Sequence, residues 1–299
     1  MNRTLCLGLL GFSGNYGEQD YKKLVDALSF GLDNYSLIDL STDYGIDYNL
    51  VNVLKTMDLK NTSARFIYKV GCNYSEAYDV NELVCQTLQD FDVFGIDRIN
   101  SLLFHRPSVA KISSDTEFFS CIRASLPNIP FGICTNSKSI YDLYKKQMDI
   151  QIVQLALNPF DYAENIPFLN ILNQDKVTVQ ARSILSSGLL SGKYDRKSVF
   201  SDNLRSRYHH LDFSSKYLKR ISTASKIIQY VEEKYKLSKG EIPVFLYSAF
   251  EKIPTVDIVI RGGSSLQQIS SNLSRIPIDE IAIKDFLSKM IIDWKCEYV

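Results

Sequence analysis

Eight short apolar runs recur along the chain, and most of the gaps between them are long enough to hold a helix. They are residues 5–9 (LCLGL), 37–40 (LIDL), 65–70 (RFIYKV), 99–104 (INSLLF), 131–134 (FGIC), 151–157 (QIVQLAL), 177–181 (VTVQA) and 256–260 (VDIVI). Each is too short for a helix, rich in Leu or β-branched residues, and apolar on both alternations. Strands covered on both faces read that way, whereas a half-solvated strand alternates apolar with polar. Between the runs, residues 19–32, 79–93, 138–147 and 238–251 carry helical spacing. In the second of these Val80, Leu83, Val84, Thr87 and Leu88 share a face, and Asp79 stands where an N-cap would.

Eight strands alternating with helices predict an α/β fold, a single (β/α)8 barrel spanning residues 1–299. A doubly wound open sheet is the competitor. It would carry GxGxxG after its first strand, and the first turn here, 11–17 (GFSGNYG), has the wrong glycine spacing. One stretch breaks the rhythm. Residues 192–214 are polar and basic, contain the His209–His210 pair, and exceed the usual connection of ~2–6 residues. They predict a long polar loop, and long loops in compact domains tend to serve function.

Composition narrows the partners. With 34 Lys and Arg against 34 Asp and Glu, the chain has no basic excess to favour nucleic acid or an anionic membrane. No apolar run approaches the ~18 residues of a membrane span, and Met1-Asn2-Arg3 leads into no signal peptide. The six cysteines are scattered, without CxxC, a Cys/His cluster or HExxH, so no metal site is expected. The expectation is a cytoplasmic protein with reduced thiols.

In a barrel, side chains at the C-terminal ends of strands converge on one mouth. Asp39 ends the second run and Tyr44 follows in the turn 41–45 (STDYG); Lys69 closes the third run and His105 follows the fourth. Singly, each has an ordinary reading: a turn aspartate, a packing tyrosine, a snorkelling lysine, a core histidine. Together, at three successive strand ends, they suggest chemistry. An ammonium beside a buried tyrosine stabilises its phenolate and would draw its pKa from about 10 towards the working range. Asp39 would hold Lys69, and His105 would orient a substrate oxygen. Such a group moves a proton on or off an alcohol oxygen but supplies no hydride, which implies a nicotinamide cofactor.

The segments 37–45 (LIDLSTDYG), 67–71 (IYKVG) and 101–107 (SLLFHRP) resemble, in order and spacing, the motifs of the aldo-keto reductases, NAD(P)(H)-dependent oxidoreductases on a (β/α)8 barrel. The resemblance continues through 131–137, 150–161, 177–194 and 258–273. The HRP and VQARSILSSGLL segments are most similar to bacterial members associated with surface-polysaccharide synthesis. The resemblance implies Tyr44 as general acid/base, Lys69 and Asp39 as its partners and His105 as the orienting residue. It implies Gln154 on the nicotinamide carboxamide, and Ser183, Leu185, Gly188 and Leu189 in the loop that holds the pyrophosphate. It further implies Arg182 against the nicotinamide face, and Arg261, Gly263, Gln268 and Asn272 around the adenosine end.

Several positions depart from the family pattern. Cys134-Thr135 replace a Ser-Asn pair, Arg182 replaces an aromatic residue, and Gly262 and Gln268 stand where NADP-preferring members carry cations. Arg261 is the cation left to pair with a 2′-phosphate, so NADPH is expected over NADH. The functional expectation is reduction of an aldehyde, ketone or sugar carbonyl. The alternative is a nicotinamide-binding sensor or regulatory protein on the same barrel with little turnover.

Overall fold

The computed structural model describes residues 4–59, 61–71, 78–209 and 211–294. Its eight strands are β1 (Cys6–Gly8), β2 (Leu37–Ser41), β3 (Arg65–Val70), β4 (Ile99–His105), β5 (Phe131–Cys134), β6 (Ile152–Ala156), β7 (Thr178–Arg182) and β8 (Ile258–Gly262). They pair in parallel, each with the next, and β8 closes on β1 through Cys6 opposite Ile260. The helices are α1 (Tyr21–Asn34), α2 (Leu50–Lys55), α3 (Val80–Phe94), α4 (Ile112–Ser125), α5 (Lys138–Lys145), α6 (Tyr162–Gln174), α7 (Leu211–Tyr235), α8 (Ile242–Phe250), α9 (Leu266–Ser271) and α10 (Glu280–Ile292). This is a (β/α)8 barrel. Short polar side chains start several of the helices: Asp20, Asp79, Ser137 and Asp279 accept from backbone N–H groups three residues on.

Two apolar cores follow from the two faces of the strands. Outward residues such as Leu7, Ile38, Phe66, Leu102 and Val153 join the helices in one large sheath. Inward residues form a small plug of Cys6, Leu37, Ile67, Leu103, Cys134, Ile152 and Ile260. Because side chains alternate along a strand, the next inward residue beyond each plug residue lies nearer the mouth. That parity places Asp39 after Leu37, Lys69 after Ile67, His105 after Leu103 and Gln154 after Ile152.

The polar segment is shorter than expected. A helical turn forms at Ser206–His209 and α7 already begins at Leu211, because the sequence from there resumes helical spacing. Its loop portion carries its own core of Leu189, Phe200, Tyr208, Tyr217 and Ile221. The Phe200 N–H donates to His209 Nε2 at 2.7 Å, so His209 is a structural acceptor. His210 lies outside the described residues.

Candidate active site

Lys69 is the hub of the mouth. Its side chain has no exposed surface, and its Nζ donates to Asp39 Oδ2 at 2.6 Å, Tyr44 OH at 2.9 Å and Gln154 Oε1 at 3.3 Å. A lysine so placed must stay charged and fully paired. Burial alone would lower the ammonium's pKa, but Asp39, joined by Tyr44 and Cys134, raises it above its ordinary value. β2 and β3 run in register with Asp39 opposite Ile67 and Ser41 opposite Lys69, which sets the two side chains at nearly one level. Tyr44 reaches the same point from the turn after β2, anchored by its N–H to the Ser41 carbonyl.

The tyrosine departs from the expectation drawn for it. Burial pushes Tyr44 up to about 12, and the Lys69 charge only partly offsets this. The phenol is therefore a protonated donor across the neutral range. Its oxygen accepts from Lys69, which leaves its own proton free. His105 packs edge-on to it, ring centres 5.9 Å apart. Burial lowers the His105 pKa, with Lys69 and Arg182 adding to the effect and Asp43 opposing it, so the imidazole is neutral at pH 7.

Two residues at this mouth carry no weight in the sequence reading. Ser41 Oγ lies 3.0 Å from His105 Nδ1, and Asp43 Oδ1 lies 3.3 Å from the same nitrogen. Ser41 Oγ also bonds Asp43 Oδ1. Ser41 could have been found by parity, standing two residues beyond Asp39 on the same face. Asp43 lies past the strand end, where parity says nothing.

The expected cofactor residues divide. Gln154 is fully buried and its amide is spent inside the network: Oε1 accepts from Lys69, and Nε2 donates to Asp39 at 2.8 Å and Gln180 at 3.1 Å. Cys134, its thiol pushed by burial up to about 11, lies 3.6 Å from the same Oε1. Arg182 and Gln180 do point to an absent group, since Arg182 Nε and Gln180 Nε2 are buried with no partner among the described residues.

Beyond β7, Ser183, Ser186 and Ser187 take positive φ values of 61°, 46° and 54°, and Gly188 follows at 89°. Runs of this kind turn N–H groups to one side and form anion-binding concavities. The amides of Gly188 and Leu189 are tied to the carbonyls of Leu185 and Ser186. Those of Leu185 and Ser187 make no backbone bond among the described residues. Leu189 itself is core, and Arg220 from α7 supports the loop, reaching Ser186 Oγ at 3.3 Å and Asp161 at 2.8 Å.

At the far end, Gly11 passes so close to the Gly263 carbonyl that a β-carbon would sit 2.0 Å from it, so only glycine fits there. Gln268 Oε1 accepts from Ser264 N at 2.8 Å, and Asn272 Nδ2 donates to the Gly262 carbonyl at 2.9 Å.

Arg261 overturns its expectation. It is fully buried, paired with Glu251 at 2.7 Å and donating to the carbonyls of Asn272 and Ser274. Ile260 faces the barrel plug, so Arg261 must face outward among the helices. Its guanidinium braces the chain after β8 and faces away from the mouth, with Nε alone lacking a partner among the described residues.

The family model for the aldo/keto reductase family matches residues 4–288. The chain belongs to the aldo/keto reductase family. Among solved structures, this aldo/keto reductase is similar to the glycerol dehydrogenase AKR11B4 from Gluconobacter oxydans, with TM-score 0.67 and 20% identity over 97% of this chain and 94% of that one. It is also similar to aldo-keto reductase AKR11C1 from Bacillus halodurans in its apo form, with TM-score 0.64 and 15% identity over 96% of this chain and 90% of that one. The holo form of that protein aligns with TM-score 0.64 and 13% identity over the same shares of each chain. At these identities the likeness is one of fold. No curated protein matches. Family membership makes the chain an oxidoreductase acting between carbonyls and alcohols. Among the described residues, no helix of this reductase is long and apolar enough to cross a membrane.

Proposed function

We propose that this reductase converts an aldehyde, ketone or sugar carbonyl to the alcohol, with Tyr44 as the proton donor. The observation that carries the reading is the Asp39–Lys69–Tyr44 chain, with links of 2.6 and 2.9 Å in a water-poor mouth. A nicotinamide dinucleotide supplies the hydride when bound. Arg182 Nε and Gln180 Nε2, buried without partners among the described residues, and the amides of Leu185 and Ser187, which make no backbone bond there, would hold it.

The protein's own part is acid catalysis. As a carbonyl gains hydride its oxygen becomes an alkoxide, a far stronger base than a phenolate with a pKa of about 12, so transfer from Tyr44 runs downhill. The Lys69 ammonium, already at 2.9 Å, meets the phenolate as it forms. Asp39 keeps that ammonium charged and in place. A phenol held at about 12 rests in its protonated, proton-donating form across the neutral range, which suits it to the reductive direction proposed.

With Arg261 turned away, residues 262–272 (GGSSLQQISSN) hold neutral donors and no cation. Ser264, Ser265 and Gln268 suit a ribose diol better than a phosphate, so the proposed cofactor is NADH rather than the NADPH that Arg261 suggested. No observation favours the sensor alternative. A carbonyl panel followed by loss of nicotinamide absorbance tests the proposal: turnover is expected in wild type and strongly reduced in Tyr44→Phe. Binding without turnover on any carbonyl would refute it.

A further inference from the structure

We propose that a groove between α7 and the loop after β7 is a second binding site, and that it takes a small molecule carrying a diphosphate group. Arg196 from the loop, Lys219, Ser222, Thr223 and Lys226 from α7, and Asp293 after α10 line this groove of about 470 Å³. None of these residues belongs to the barrel mouth.

The chain's charge balances in total but not in place. Residues 192–226 hold nine Lys and Arg against three Asp. Asp202 and Asp161 neutralise Arg205 and Arg220, each at 2.8 Å, and Asp195 accepts from the Lys197 N–H and the Ser198 hydroxyl. Arg196, Lys219 and Lys226 are exposed and make no ion pair among the described residues. Asp293, the one acid lining the groove, is held by Lys289 at 2.7 Å.

Other solvated helix faces of this protein pair lysine with an acid one turn away, as in Lys22–Asp26, Lys138–Asp142 and Lys289–Asp293. On α7 no acid occurs from residue 213 to 231. Hydroxyls take those places instead: Ser215 and Thr223 lie one turn either side of Lys219, and Ser222 one turn before Lys226. Residues 219, 222, 223 and 226 share a face over two turns, opposite the buried face of Tyr217, Arg220, Ile221, Ala224 and Ile227. The two lysines are about 10 Å apart along the helix axis, within reach of one bridging ligand. Arg196 meets this face from the loop. Its Nη2 donates to Ser222 Oγ at 3.1 Å, which leaves the Ser222 proton without an acceptor among the described residues.

Three unpaired cations and a free hydroxyl proton form a surface of donors, and its complement is a group that only accepts. A carboxylate brings two oxygens. A terminal phosphoryl group brings three, enough for a guanidinium, an ammonium and the Ser222 hydroxyl together, and such charge-assisted bonds are the strong ones. Two linked phosphoryl groups suit a face of two turns, which is too short for the ~6–10 phosphate contacts of a nucleic-acid site. Because the groove joins the loop to α7, a bound diphosphate ties the two together and stabilises the folded chain.

The probe is inorganic pyrophosphate, titrated calorimetrically in physiological salt into protein saturated with NADH, so that the dinucleotide fills the loop amides after β7. One pyrophosphate is expected per chain. Its affinity should fall roughly tenfold or more in Lys219→Gln/Lys226→Gln, and severalfold in Arg196→Gln and in Ser222→Ala, each of which removes a donor to a charged group. Lys138→Gln/Lys284→Gln removes as much exposed charge from other helices and should bind like wild type. Pyrophosphate should also raise the wild-type Tm above that in NaCl of equal ionic strength. No binding to wild type, affinity unchanged in the folded groove variants, or an equal loss in the two double variants overturns the site. A DNA duplex that binds more tightly than pyrophosphate, with the same variant dependence, overturns the small ligand. If NADH itself does not bind, the cofactor reading fails, and the same variants still separate the groove from the loop amides in the free protein.

Discussion

Lys69→Met is the perturbation that the mouth should tolerate least. The methionine fills most of the lysine's volume but removes three hydrogen bonds, to Asp39, Tyr44 and Gln154. Asp39, 3% exposed, is left with Gln154 Nε2 at 2.8 Å as its remaining partner in this network. Removing one partner of a buried pair typically costs ~3–5 kcal/mol, because the other charge stays behind unpaired. Unfolding entropy of ~2.1 cal/mol/K per residue gives about 0.6 kcal/mol per degree for 299 residues. The expected fall in Tm is therefore about 5–8 °C. The Lys69 pKa is raised on folding, so its contribution is full below its ordinary value of about 10.4 and is lost only as pH rises through the folded value. The deficit traced to Lys69 should accordingly stay flat from pH 6 to 9. Asp39→Asn/Lys69→Met removes both charges and should recover most of the loss, although activity stays low in both variants. Differential scanning fluorimetry and urea titration measure the four corners of the cycle. An unshifted Tm in Lys69→Met, or a double variant no better than the single, would refute the pairing argument.

Tyr44→Phe keeps the packing and removes the proton, so kcat should fall ~10²–10⁴-fold with NADH affinity nearly intact; wild-type turnover, with a deuterium isotope effect showing hydride transfer to be rate-limiting, would contradict it. Arg261→Met should lower stability by breaking the Glu251 pair, and fluorescence titration should show NADH binding at least as tightly as NADPH, with both affinities changing by one factor. A selective loss for NADPH would return Arg261 to the cofactor site. His105 is held neutral by burial, so it stabilises the fold above its ordinary pKa and that contribution is lost as pH falls through the lower folded value. Urea midpoints of wild type should therefore drop more steeply from pH 7 to 5 than those of His105→Gln; parallel slopes would deny the shift.

The strands were legible because both faces are buried, and unbroken apolar runs of that length have few other uses. Each observed strand lies within two residues of its predicted run at either end. Asp39, Lys69 and His105 were legible for the same reason, as polar residues at the ends of apolar runs. Arg261 misled because motif position was allowed to override parity: Ile260 belongs to the inner plug, and a one-residue step along a strand reverses the side chain. Gln154 was legible as a polar residue on β6, but its partners sit on β2, β3 and β7, and long-range pairs of that kind have no local signature. The sign of the Tyr44 shift was likewise hidden, since charge and burial oppose each other there and only packing decides the larger.

The charges at the mouth follow from these same placements and limit what can enter. Those bearing on Tyr44 and His105 are Lys69 and Arg182 on one side and Asp39 and Asp43 on the other. Tyr44 keeps its proton and His105 carries no charge, so these groups balance. Each carboxylate is also already engaged, Asp39 by Lys69 and Asp43 by Ser41 and His105. Arg182, with a buried Nε still unpartnered, is the one cation of the set with an open valence, and it stands on the inner face of β7 above Gln180. On the proposed reading, an uncharged substrate would meet Tyr44 and His105 without disturbing this balance, and the open valence at Arg182 would be left for the cofactor. Uncharged carbonyls would, on that reading, fit such a mouth better than acids, because a second anion would have to compete for Arg182 or face the Asp43 carboxylate.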